Sequence, residues 1–121
     1  MNLEETVVQK LTRVVQRSLR GKVEVTLERD GTSAEGIHYV VQIHSADNSL
    51  GGLPREGNVI IKQYGAGFEV AYADGTVSAA VRGRNHGTGS CELETNRGKV
   101  GYTSPGYALD AMAILVAKSI H

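Results

Sequence analysis

The segment whose residue types come nearest to chemistry is Arg82-Gly83-Arg84-Asn85-His86-Gly87-Thr88-Gly89. Its glycines can turn backbone N–H groups toward an anion, and Arg82, Arg84 and His86 add charge around Asn85. The spacing is not that of a P-loop, and a strand rather than a helix is predicted to follow it. The same charges fit a solvated hairpin loop, which is the favoured reading, and Arg82, Arg84, Asn85 and His86 are retained as candidate ligand contacts.

Other reactive side chains are scattered. His38 and His44 share a strand face six residues apart, which is about 20 Å along an extended strand and too far for one ion. Both are retained as ligand-contact candidates, and with His86 and Tyr39 they supply the acid–base groups an enzyme reading would need. His121 lies at the end of the chain, and no local cluster implies a metal or a cofactor. Cys91 has the strand parity of Leu93, which points its thiol toward the core, where cysteine acts as a small hydrophobe. Glu92 and Glu94 share a face, as do Glu24 and Glu28, in the pattern of a solvated sheet surface. Arg82, Arg84, Arg97 and Lys99 come from neighbouring turns and would make a basic patch, but no aromatic residues are interleaved for base stacking.

Composition excludes several classes. Thirteen Lys and Arg balance thirteen Asp and Glu, so no global field favours nucleic acid or an anionic membrane, while self-association is permitted. A single cysteine excludes an internal disulfide framework and suits a reducing compartment. The acidic start, Met1-Asn2-Leu3-Glu4-Glu5, lacks the basic region of a signal peptide, and no apolar run approaches the roughly 20 residues of a membrane span. A cytoplasmic protein is the expectation.

The elements that must carry these residues follow from periodicity. Leu3, Val7, Leu11, Val14 and Val15 recur at helical spacing, with Asn2 as cap, Glu4 and Glu5 in the first turn, and Gly21 as stop. The period then becomes two. Val23, Val25 and Leu27 alternate up to a turn at Asp30-Gly31, and Ile37, Tyr39, Val41 and Ile43 form the next face. Residues 45–57 have no period and read as a connector of about a dozen residues, long by ordinary standards. A short strand at 59–62 precedes a hairpin over 68–82 that turns at Asp74-Gly75, and two further strands lie near 90–95 and 99–103.

Ser104 and Pro105 open a second helix reaching Ile120, apolar almost all round. Ile114 falls between Asp110 and Lys118 on the line that should face solvent, flanked by Ala113 and Ala117. Either the first helix or another subunit must cover such a helix, so Ile114, Ala113 and Ala117 are the interface candidates.

These readings combine into a single α+β domain over residues 1–121: an N-terminal helix, a curved antiparallel sheet of six to seven strands, and an apolar C-terminal helix packed on the sheet. The expected function is a non-enzymatic binding module, homodimeric, holding a small apolar or anionic ligand or a protein partner. A small enzyme and a weak nucleic-acid or anion binder are the alternatives.

Overall fold

The first apolar stripe winds into α1 (Leu3–Ser18) in the computed structural model, which describes residues 2–48, 50–85 and 89–120. The Glu5 N–H donates to Asn2 Oδ1 at 2.7 Å, satisfying one of the orphan amides of the first turn. Leu3, Val7, Leu11 and Val15 are buried, one residue from each turn. At the other end Gly21 adopts a positive φ and its N–H donates to the Gln16 carbonyl at 2.8 Å, which closes the helix.

Seven strands follow among the described residues: β1 (Val23–Ser33), β2 (Gly36–Ser45), β3 (Arg55–Tyr64), β4 (Gly67–Ala73), β5 (Ser78–Gly83), β6 (Cys91–Thr95) and β7 (Gly98–Tyr102). Each pairs antiparallel with the next, so their order in the sheet is their order in the chain. Short connections leave no other choice, because a parallel partner requires a crossover of a dozen or more residues. Alternation then decides the faces. Val25, Val41, Val59, Val70, Val81 and Leu93 point to one side and are buried there beneath the helices.

Two expected boundaries are corrected. β1 does not turn at Asp30-Gly31. It continues to Ser33 through a register shift between Arg29 and Thr32, and the chain reverses at Ala34-Glu35. Gly31, at φ +103°, occupies the bulge that absorbs the one extra residue. Gly36, on the far side of the turn, cannot be replaced, since a Cβ there would lie 2.3 Å from the Ile61 carbonyl oxygen. The aperiodic connector is also shorter than expected: β3 begins at Arg55, and Arg55, Glu56 and Gly57 pair with Ile43, Gln42 and Val41. Gly57 broke the apolar alternation because it packs against the Asp74 side chain, which leaves no room for a Cβ.

α2 (Pro105–Lys118) is capped by the Ser104 hydroxyl and lies against β5, β6, β7 and α1. The first helix therefore supplies its cover. Ala113 and Ala117 are fully buried inside the chain, where small side chains let the two helices approach. Lys10 and Asp110 close the seam with an ion pair at 3.0 Å. Of the three interface candidates only Ile114 presents surface, 39 % of it exposed, and Tyr107, two turns earlier on the same stripe, is 64 % exposed.

Candidate functional site

Where β3 and β5 end and β4 and β6 begin, the sheet carries an open cleft whose walls include Tyr64, Arg84, Asn85, Ser90, Glu92 and Tyr102. Backbone fills its floor, because Gly83 and Gly101 offer no side chains. Gly83 is held to this role by packing: a Cβ would fall 2.6 Å from the Phe68 ring and 3.0 Å from the Cys91 Cβ. Tyr64 is placed by a second glycine. Its ring lies across Gly67, where a Cβ would stand 2.8 Å from the ring edge, and its hydroxyl donates to the Phe68 carbonyl at 3.3 Å. Half of Tyr64 nevertheless remains exposed, so the ring forms a fixed aromatic wall facing solvent.

The arginines of the basic loop divide into two roles. Arg82 is locked between carboxylates, Nε to Glu69 at 2.5 Å and Nη1 to Glu94 at 2.9 Å. Hydrogen bonds donated to those two carboxylates hold its guanidinium above the usual range, and Arg82 in turn depresses the Glu94 carboxyl. Lys99 completes the group at 3.7 Å from Glu94. Arg84, two residues on, is exposed and makes no ion pair among the described residues, and the same holds for Glu92 across the cleft. Among the described residues the cleft therefore offers one cation and one carboxylate without an ion-pair partner. His86 lies outside the described residues.

Other expected contacts do not reach this place. His38 stands on the outer face of β2, its Nε2 2.7 Å from the Ser33 hydroxyl, and His44 stands on the same strand opposite Glu24. Both belong to the β1–β2 side of the sheet, three strands from Arg84. Tyr39 points the opposite way, as alternation requires, and its hydroxyl donates to the Glu4 carboxylate under α1. Burial, with the Glu4 hydrogen bond and charge, pushes its pKa up to about 12, which unfits it for proton transfer near neutral pH. The acid–base candidates among the described residues thus do not converge. Burial also pushes the Cys91 thiol up, away from the reactive thiolate.

The basic patch fails to assemble for a topological reason. Arg84 follows β5 whereas Arg97 lies in the β6–β7 turn, at the other end of those strands. Among the described residues, no three His, Cys, Asp or Glu side chains come together in a way that could hold a metal ion. No helix of the described chain is long and apolar enough to cross a membrane.

A polar cluster at the opposite end of the sheet was invisible in the sequence. Asp74, whose side chain has no exposed surface, accepts the Tyr72 hydroxyl at 2.6 Å and the backbone N–H groups of Thr76 and Val77 at 2.8 and 2.7 Å. Arg55 approaches the same carboxylate at 3.4 Å. The Arg55 guanidinium also donates to the Ser119 hydroxyl at 2.6 Å and the Ser119 carbonyl at 3.1 Å. It thus caps the C-terminal end of α2 with positive charge. Burial alone would raise the Asp74 pKa, but the Tyr72, Val77 and Thr76 hydrogen bonds and the Arg55 charge outweigh it and hold the carboxyl below its usual range. Every acceptor is used, so this is a clasp between sheet and helix and not a site.

Tyr64, Tyr102 and Glu92 are the cleft-lining side chains that sequence reading missed. The available signal for Tyr64 was the following Gly65-Ala66-Gly67, a turn whose second glycine leaves a seat for the ring. Neither a family model, a curated protein nor a solved structure matches this chain.

Proposed function

We propose that the chain is a non-enzymatic binding module whose ligand is a small molecule with one anionic group and an apolar, planar portion. The observation that carries this reading is the juxtaposition of the fixed Tyr64 ring with the unneutralised Arg84 guanidinium over a glycine floor. A guanidinium not already paired is a strong partner for a carboxylate, and an aromatic wall that is anchored beforehand costs little ordering on binding. Glu92 sharpens the class, because its charge opposes a multiply charged anion and tolerates a singly charged one. Catalysis has no support here: the cleft holds no base–nucleophile pair among its described residues, and the Cys91 thiol is buried.

A twofold dimer through α2, the partner first expected, draws little from the same surface. α1 already covers Ala113 and Ala117, and a twofold contact around Ile114 would set Arg13 and Arg17 near their own copies. The single cysteine, a buried thiol, accords with the cytoplasmic location we propose.

The test is a titration of the isotopically labelled protein with phenylacetate, followed by backbone amide shifts. At about 0.4 kcal/mol per heavy atom this probe should bind with a Kd of about 1 mM. The largest shifts should fall on Gly83, Arg84, Ser90 and Thr103, with weaker binding by acetate or benzyl alcohol alone. Shifts confined to other surfaces, or equal affinity for acetate and phenylacetate, would remove the proposal.

A further inference from the structure

We propose that the chain associates head to tail with a second copy of itself, the outward face of the two helices seating on the acidic corner of the neighbour's sheet. Neither surface includes the ligand cleft.

The helix face has the composition of an interface. Tyr107 and Ile114, two helical turns apart on one stripe of α2, are among the exposed large hydrophobic residues of the chain. Beside Ile114 runs a groove between the helices to which α1 contributes Thr6, Gln9, Arg13 and Arg17. Arg13 and Arg17 are exposed and make no ion pair among the described residues, and Lys118 lies one turn beyond Ile114. Aromatic and arginine side chains around an apolar centre are what protein interfaces concentrate.

The outer face of the sheet supplies the complement. Val40, Ile60 and Ala71 lie on adjoining strands of that face and are half-buried, forming an apolar centre. Glu24 and Glu28 on β1 and Glu56 on β3 stand exposed on the same face, one or two strands away, again with no ion pair among the described residues. The carboxylates toward the other edge differ, since Glu69 and Glu94 are occupied by Arg82. The helix face thus carries an apolar strip bordered by arginines; the strip on the sheet is bordered by carboxylates on its β1 side, with Lys62 beside Ile60 and Lys22 near Glu24 as exposed cations of the same face.

Overall neutrality removes the long-range repulsion that would keep copies apart. The helices cover one side of the sheet and the acidic corner lies on the other. A contact between them is therefore heterologous and builds a ring or an open chain of copies instead of a twofold dimer.

Sedimentation velocity on the full chain tests this with two double variants, R13E/R17E and E28K/E56K. All four positions are exposed, so both variants should melt with the wild type. The wild type should show a weight-average sedimentation coefficient that rises steadily from about 1 µM to about 1 mM in low salt. It should fall toward the monomer value at about 0.5 M salt. Each variant alone should associate at least about tenfold more weakly, and an equimolar mixture of the two should recover association, because each then offers the face the other lost. Replacing Ile114 with Asp should weaken association without changing the melt. A wild type that stays monomeric throughout, a plateau at dimer, or a mixture no better than either variant would overturn the proposal.

Discussion

Arg55 and Arg84 sit at opposite ends of the same sheet and have opposite fates. Arg55 enters β3 and is consumed at once by Asp74 and the carbonyl of Ser119, the C-cap of α2, within a cluster where Tyr72 and two backbone amides complete the carboxylate. Arg84 leaves β5 beside an aromatic ring and a glycine floor, and no carboxylate claims it among the described residues. A buried charge must be matched within the fold, whereas an exposed one can be left for a ligand. Charge type alone does not separate the two; what surrounds the charge does.

The largest effect expected from breaking this contrast is at Asp74. Replacing it with Ala strands Arg55 and the Tyr72 hydroxyl, and urea denaturation should show a loss of about 3–5 kcal/mol. Tyr72→Phe removes one hydrogen bond of the same clasp and should cost about 1–2 kcal/mol in that experiment.

The pH dependence has a definite sign. Asp74 is depressed in the folded chain, so its stabilisation is complete above the unfolded carboxyl pKa and is lost as pH falls through the lower, folded value. Acid titration should therefore show a stability loss below pH 3.8 that Asp74→Asn flattens. At the alkaline end Tyr39 is raised from 10.0 to about 12, so its contribution holds below pH 10 and is lost on the way to 12, and Tyr39→Phe should flatten that limb.

Smaller effects lie at the cleft end. Arg82→Ala breaks a half-exposed surface network and should change stability by about 1 kcal/mol or less. Smallest of all is Glu92→Gln, which should leave the denaturation midpoint in place and tighten phenylacetate binding by about twofold.

Most of the architecture was legible because it rests on periodicity. The spacing of Leu3, Val7, Leu11 and Val15, the alternation through β2, β4 and β5, and the Ser104-Pro105 start each translate directly into an element. Failures came where tertiary contact overrides local signal. Asp30-Gly31 has the residues of a hairpin turn, yet continued pairing of Thr32 and Ser33 with Ile37 and Gly36 makes it a bulge. Asp74-Gly75 was read correctly as a turn, but Asp74's second role depends on Arg55 and Ser119, which are distant in the chain.

The candidate site was legible only in part. The loop's composition singled out Arg82, Arg84 and Asn85 alike; all three line the cleft, but only the structure shows that Arg82 is tied up by Glu69 on the neighbouring strand. That His38 and His44 stand away from the cleft follows only from the sheet order, in which β3, β4 and β5 lie between β2 and β6. Sequence alternation gives the face of a side chain, not its distance from another strand.

The most direct test of the division between the two ends is Arg84→Ala, measured for both melting temperature and phenylacetate affinity. The melt should stay within about 1 °C of wild type. Affinity should fall at least about tenfold, since the only unneutralised cation of the cleft's described residues is gone. A melting point lowered by several degrees with binding unchanged would contradict the account, because Arg84 would then belong to the fold, as Arg55 does.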